Sequence, residues 1–313
     1  MRKASTVRRD VAAEVTDRIV AALESGVAPW TRPWTSSSSS EPALGLPVNG
    51  ATGRAYRGAN ILILWSSAIT SGYSDPRWMT FKQALDLGAC VRKGEHGTGV
   101  VFWKSTRRTE TDPTTGEETS RGGMFARFYT VFNVAQIDGL PERFAPAPVT
   151  ASAPVETMTV ERNARVDAAV AATNAVIAHG GDRAFYQPST DSIRLPAAES
   201  FKSADHYYST MLHEVTHWTG HASRLDRKLQ NRFGDDAYAA EELIAELGSA
   251  FLCALLGVRL EGLQHAEYLG HWIKVLKADK FAIFTASSAA QKAADFVLDA
   301  GADDEEATDE VAA

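Results

Sequence analysis

The sequence predicts an α+β protein of two domains, the first mixing helix with strand and the second mainly helical. Three observations predict it. At 313 residues the chain is about twice a common domain length. A Pro/Ala/Ser-rich stretch, Ala145 to Pro154, reads as a linker. Charge divides at the same place: residues 1–146 carry a net +4 and the remainder −11 of the total −7. The expected division is a first domain over 8–144, a linker over 145–156, a second domain over 157–299 and an acidic, disordered tail over 300–313.

In the first half, Val11, Val15, Ile19 and Leu23 recur every fourth residue, the pattern of an amphipathic helix over 10–25 that Gly26 stops ahead of Pro29. Ser36 to Ser40 reads as a loop and Ile61 to Ile69 as a buried helix. Residues 98–104 and 127–134 read as strands, with the polar stretch Ser105 to Gly123 as an exposed hairpin arm between them. The second half opens with a helix over 157–179, then a β-like segment from Phe185 to Leu195 and a helix from Ala204 to Thr219. Another helix runs from Tyr238 to Leu256, with Asp235 and Asp236 as candidate caps and Gly257 as its stop, before a helical region over 263–299.

With 44% hydrophobic and 23% charged residues, the composition excludes collagen-like, wholly disordered and disulfide-scaffold classes. Cys90 and Cys253 stand alone in apolar settings, which suits small core residues in a reducing cytosol. The most apolar stretch, Leu243 to Val258, is interrupted by Glu246 and is too short to span a bilayer. No membrane partner and a cytoplasmic location are expected.

The chemistry of the second half begins with His213-Glu214-Val215-Thr216-His217. On a helix, residues four apart lie one above the other, so both imidazoles face one point in space. Two such nitrogens suit zinc, with Glu214 between them as the general base of a hydrolase. A third protein ligand is required. His221 would sit about 12 Å from His213 on a continuous helix. A further histidine six residues after His217 is lacking, since that position is Ser223. The better candidate is Glu242 in Glu241-Glu242-Leu243-Ile244-Ala245-Glu246, with Glu246 one turn on to orient a ligating histidine; Glu241, offset by about 100°, ranks second as a ligand. Tyr238, one turn before Glu242, is the leading candidate to donate to a developing oxyanion, with His206 and Tyr208 behind it. The segment Tyr186 to Leu195 is a candidate edge strand for an extended peptide.

The segments MLHEVTHWTGHASRLDR and YAAEELIAELGSAFL resemble the zincin-like metallopeptidase domain of ArdC-type antirestriction proteins, over roughly residues 155–285. That resemblance implies a zinc site built from His213, His217 and a glutamate of the EELIAE segment. In the first half, five of the seven tryptophans are interleaved with Arg and Lys, the ingredients of a sequence-tolerant single-strand binder. The segments Leu23–Trp30, Gly53–Asn60, Trp78–Gln83, Val91–Thr98 and Tyr129–Asn133, in this order, resemble the N-terminal single-stranded-DNA-binding domain that ArdC proteins share with some plasmid primases. The resemblance implies binding of single-stranded DNA entering by conjugation and its protection from host restriction. Arg54, Arg57, Lys82, Arg92 and Lys93 are the candidate phosphate contacts, and Trp30 and Tyr56 the candidate stacking platforms.

Three functions compete at this level. One is an antirestriction protein that binds single-stranded DNA and carries a working zinc peptidase acting on a protein or peptide. Another is a non-catalytic DNA-binding protein whose zinc is structural or vestigial. The intact Glu214 favours the first, because a structural zinc site needs no general base. A fragment of primase machinery is the third, and no second metal cluster for nucleotide transfer is apparent.

Overall fold

The structure, a computed structural model, describes residues 10–26, 28–30, 45–111, 118–144, 155–233, 236–259 and 266–300. The Ser36–Ser40 loop, the stretch 145–154, Asp235 and the acidic residues 301–313 lie outside them. The chain forms two compact units, one made of Pro47–Ala147 and the other of Met1–Leu46 together with Pro148–Ala313. The N-terminal helix, read from sequence as part of the first domain, therefore belongs with the second half of the chain.

That helix, α1 (Val11–Glu24), is capped by Asp10, whose carboxylate accepts from the Ala13 amide at 3.1 Å. The sheet unit then carries β1 (Val48–Asn49), α2 (Ala59–Ser71), β2 (Arg77–Thr80), α3 (Phe81–Asp86), β3 (Cys90–Val91), β4 (Thr98–Thr111), β5 (Glu118–Asn133) and β6 (Ile137–Asp138). Four strands pair in the order β1-β2-β5-β4, with β1 parallel to β2 and the rest antiparallel. Strands β4 and β5 stay in register from Thr98↔Val131 to Thr111↔Glu118, so the polar stretch expected to form a hairpin arm is paired as one over its described residues, with 112–117 outside them.

Side chains alternate across a strand, and β2 uses both directions. Trp78 joins Tyr56, Leu64, Ala68, Val100 and Val131 in one core, while Met79 joins Ala84, Ala89, Val91, Val134, Ile137 and Phe144 in another. Buried Asn60 on α2 donates to the Val101 carbonyl at 2.7 Å and accepts from its amide at 2.8 Å, occupying backbone groups on the outer edge of β4. Helix α3 begins with a capping box between Thr80 and Gln83. Cys90, expected in a core, is exposed, whereas Cys253 is buried.

The helical unit continues with α4 (Val155–Ala172), β7 (Val176–His179), β8 (Phe185–Gln187), β9 (Ser192–Leu195), α5 (Ala204–Thr219), α6 (Gln230–Phe233), α7 (Ala237–Leu256), α8 (Ala266–Ala278) and α9 (Ala282–Asp299). Its sheet has the order β7-β9-β8, so the segment expected as one edge strand, Tyr186 to Leu195, is corrected: it forms two strands, of which β8 lies at an edge and β9 is central and paired on both sides. The helix expected over 157–179 starts earlier, within the expected linker, and ends at Ala172. Thr173 bonds back to the Val170 carbonyl and Asn174 takes a left-handed φ of 58°, a turn that ends the helix and starts β7 parallel to β9. The region 263–299 divides into α8 and α9 at Asp279, whose carboxylate accepts from the Phe281 amide.

Helix α7 is buried along most of its length and packs against both α5 and α9. Its N-cap residue Asp236 makes no side-chain capping bond, and its carboxylate pairs instead with Lys274 at 2.9 Å. Helix α1 turns Val15, Ile19, Val20 and Leu23 inward and packs on α8. Glu24 pairs with Lys277, Asp10 with Lys280, and Thr16 donates to the Lys280 carbonyl at 2.7 Å. Among the described residues no helix is long and apolar enough to cross a membrane.

Candidate metal centre

Helix α5 is started by Ser203, whose hydroxyl accepts from the His206 amide at 2.9 Å, and runs to its C-cap at Gly220. Leu212 and Val215 are fully buried, and His213 and Glu214 are buried with them. Helix α7 crosses in the opposite direction: His217 meets Glu241 near one end of the contact, and Ser249 donates to the Ser209 carbonyl at the other. The two backbones come close because residue 248 is glycine. A Cβ there would lie 2.4 Å from the Thr216 methyl.

This crossing brings the predicted ligands together. Ligand atoms of His213, His217 and Glu242 all lie within 4.8 Å of one another. The two Nε2 atoms are 3.2 Å apart, His217 Nε2 is 3.6 Å from one Glu242 oxygen, and His213 Nε2 is 3.7 Å from the other. Donors held at 2.0–2.1 Å in tetrahedral directions around one ion stand about 3.3 Å apart, so the spacing fits. Two imidazoles and a carboxylate, His213 and Glu242 buried and His217 partly so, are a donor set for a divalent metal.

The electrostatics follow from crowding these groups out of water. Burial pulls the His213 imidazolium down, and the neighbouring His217 adds to that. Burial acts on His217 in the same sense, but Glu241 and Glu242 outweigh it and hold this imidazole up at about 10. Glu242 is driven the opposite way from what burial alone would do, because His213 and His217 keep it ionised. Glu246, fully buried one turn further along, is pushed well up by desolvation and by the charge of Glu242.

One expectation is corrected. The carboxylate that grips the far side of a ligating histidine belongs to Glu241, the residue ranked second as a ligand, and was expected from Glu246. Glu241 accepts from His217 Nδ1 at 3.2 Å, and Arg227 reaches the same carboxylate with Nε at 3.1 Å and Nη2 at 2.5 Å. The 100° offset that counts against Glu241 as a ligand places it beside the ring. Arg227 itself carries no sequence signal beyond its position in the RLDR stretch.

Tyr238 lies at the exposed start of α7, with its hydroxyl 3.1 Å from that of Tyr268. That bond, burial and the charge of Glu242 all hold the phenol in its protonated form. Tyr208 is instead committed to Asp167, donating to both carboxylate oxygens at 3.0 Å, and His206 packs edge-on to Phe201. His221 lies outside the triad and bonds with Ser223 at 2.8 Å.

In the sheet unit, Arg54, Arg57, Lys82 and Lys93 are exposed. Arg92 is also exposed but holds Glu95 at 2.8 Å, Asp138 at 3.3 Å and the Ala135 carbonyl at 2.6 Å, so its guanidinium is occupied within the chain. Both stacking candidates are corrected. Tyr56 is buried in the α2 core, with its hydroxyl on Asn49. Trp30 is buried in the other unit, edge-on to Trp272 with ring centroids 6.0 Å apart. Aromatic rings that do reach solvent in the sheet unit carried no such expectation: Phe102 (46% exposed), Phe128 (49%) and Tyr129 (42%) on the β4–β5 ribbon, and Phe81 (48%) at the start of α3. Phe102 and Tyr129 meet edge to face at 5.5 Å, and Arg127 stands directly opposite Phe102.

Residues 164–289 match the zincin-like metallopeptidase family, and residues 9–132 match the N-terminal domain of anti-restriction factor ArdC. The metal-free crystal structure of the antirestriction ArdC protein from plasmid R388 is 42% identical and superposes with a TM-score of 0.76, covering 95% of this chain and all of that one. The chain belongs to the ArdC antirestriction family. The Mn(II)-bound structure of the same R388 ArdC protein gives 40% identity and a TM-score of 0.73. Beyond these ArdC structures, the DNA primase TraC of Escherichia coli is 43% identical over 310 residues, 93% of this chain. The ArdC-family chain spans 27% of that primase's length. The uncharacterized protein y4eC of Sinorhizobium fredii is 43% identical over 294 residues, 92% of this chain and 91% of its own.

Proposed function

We propose that this ArdC-family chain protects incoming DNA from host restriction by binding it as a single strand, and that its helical unit is a zinc-dependent centre for hydrolysing a peptide bond. The observation that carries the second part is the placement of Glu214 between two histidines whose Nε2 atoms converge with Glu242. Zinc held by His213, His217 and Glu242 would supply a Lewis acid for the scissile carbonyl. Glu214, buried on the same helix, takes the proton of the attacking water and returns it to the departing amine. Tyr238, kept protonated at the exposed start of α7, donates to the oxyanion as it forms. Strand β8, at the edge of its sheet, offers backbone groups to an extended peptide.

Support for the DNA part comes from the sheet unit. Solvent-facing rings of Phe102, Phe128 and Tyr129 lie with Arg127 on one two-stranded ribbon, and Arg54, Arg57, Lys82 and Lys93 are exposed in the same unit. Rings that stack bases and cations that meet phosphates are what sequence-tolerant single-strand binding needs. The relatives' names, an antirestriction protein and a DNA primase, both belong to proteins that deal with DNA. The deciding experiment is Glu214→Gln in the full chain, assayed for peptide cleavage, zinc content and protection of transferred DNA. Cleavage lost with zinc retained supports the peptidase reading, whereas undiminished cleavage overturns it.

A further inference from the structure

Arg227 is committed to five hydrogen bonds in the helical unit, and it reaches the metal ligand His217 only at its backbone carbonyl, not at its ring. Its side chain is 6% exposed. It donates to the Thr219 hydroxyl at 2.6 Å and to the Thr216 carbonyl at 2.7 Å, with the His217 carbonyl at 3.3 Å. These are groups of the last turn of α5, where helical carbonyls lack helical partners and a cation is favoured. The rest of the guanidinium grips both oxygens of Glu241, which in turn accepts from His217 Nδ1.

Space for this arrangement is made at Gly220. Its backbone is an ordinary right-handed turn, φ −75° and ψ −10°, which any residue can adopt. A Cβ there, however, would lie 2.5 Å from Arg227 Nη2, 2.7 Å from Cζ and 2.9 Å from Nε. The glycine is thus required by the guanidinium rather than by the chain's conformation.

We propose that Arg227 and Glu241 are positioning residues for the metal ligand His217, and that Gly220 exists to let Arg227 into place. A carboxylate accepting from Nδ1 leaves the lone pair of the neutral imidazole on Nε2, where His213 and Glu242 converge. It also fixes the ring's rotation. Alone, Glu241 could swing away with its own flexible stem. Arg227, anchored to three groups of α5, ties that carboxylate to the helix that bears the ligand, so ring and carboxylate keep one spacing when α5 and α7 shift.

The inference rests on the metal site described above, and its test separates the two. Zinc affinity is measured by chelator competition on the full chain, alongside the melting of the zinc-free protein and the visible spectrum of the cobalt-loaded one. His213→Ala tests the site, and retained stoichiometric zinc there would remove the site itself. Glu241→Gln and Arg227→Ala test the positioning: each should weaken zinc about 10–100-fold and shift the cobalt bands. Arg227→Lys, which keeps the charge but not the fork, should recover part of the loss. Gly220→Ala should behave as Arg227→Ala does. The double variant Arg227→Ala/Glu241→Gln should lose little more than the worse single variant, because both act through one ring. Unchanged affinity and spectrum in Glu241→Gln, or losses that simply add in the double variant, would overturn the proposal. Should Arg227→Ala fail to fold, the comparison of Glu241→Gln with Arg227→Lys decides it on the same readouts.

Discussion

His213 and His217 face each other Nε2 to Nε2 at 3.2 Å, one imidazole held neutral by its burial and the other held protonated by two carboxylates. A metal entering this site must expel the proton from His217. Below about pH 10, where that imidazole is charged, affinity should therefore climb about tenfold per pH unit once the chelator's own protonation is corrected. The stability of the metal-free chain has the opposite slope. The folded value lies above the ordinary 6.5, so this stabilisation is complete below 6.5 and disappears as pH rises through about 10. Competition titrations at two neutral pH values check the first statement, and a flat result would contradict it.

Elemental analysis should find about one zinc per chain. His213→Ala or Glu242→Ala should abolish it, since each removes one of three converging donors. Glu214→Gln should retain it while cleavage falls by about 10²–10⁴-fold, the usual cost of a lost general base. The same variant should still protect transferred DNA, because a bound protein blocks access on contact, whereas proteolysis must first find its target. Loss of protection with zinc and DNA affinity intact would reverse that order of importance.

Binding of single strands by the full chain should weaken as salt rises, because counterions are released from the phosphates. Phe102→Ala and Tyr129→Ala should each lower affinity, at about 1–3 kcal/mol for each base that stacks. Trp30→Ala should lower the melting temperature and leave DNA affinity alone, since its ring is packed on Trp272. The reverse pattern in a salt-titrated binding assay would show that the exposed ribbon is not the binding face.

Gly248→Ala is expected to be costly although alanine is the better helix former. The added methyl would sit 2.4 Å from Thr216 Cγ2, and such overpacking costs about 1–3 kcal/mol. Thr216→Ser in the same chain removes that methyl and should restore part of the loss in a denaturant titration. No recovery would mean that the strain lies elsewhere.

The metal triad was legible because a helix repeats every 3.6 residues: the spacing of His213 and His217 fixes a face whatever surrounds it. Helices α1, α5 and α7 were legible for the same reason, with apolar stripes and glycine stops at Gly26 and Gly257. What failed had no periodic signature. The end of α4 is marked only by Asn174, which takes a left-handed φ without a glycine to announce it. Trp30 and Tyr56 look in sequence like any aromatic beside arginine, and only packing shows that they are core residues. Glu241 and Glu242 differ by one step along the helix, and which of them faces the ion and which the back of the ring depends on how α5 and α7 cross. The stripe of α1 reveals that a partner exists but not which one: residues 9–132 match the ArdC N-terminal domain, while α1 packs on α8 of the helical unit.

That packing has a consequence for synthesis. Thr16 and Lys280 are 264 positions apart, and at about 5–20 residues per second the ribosome needs roughly ten seconds to a minute to supply α8 after α1 has emerged. During that interval Val15, Ile19 and Leu23 have no native surface to cover them, while the whole of Pro47–Ala147 is made and can fold. The nascent chain thus passes through a stage in which the sheet unit is complete and the apolar stripe of α1 is still uncovered, a natural client for a holdase. The metal centre, by contrast, lies near the end of this wait, and the helix that was made first is among the last to dock.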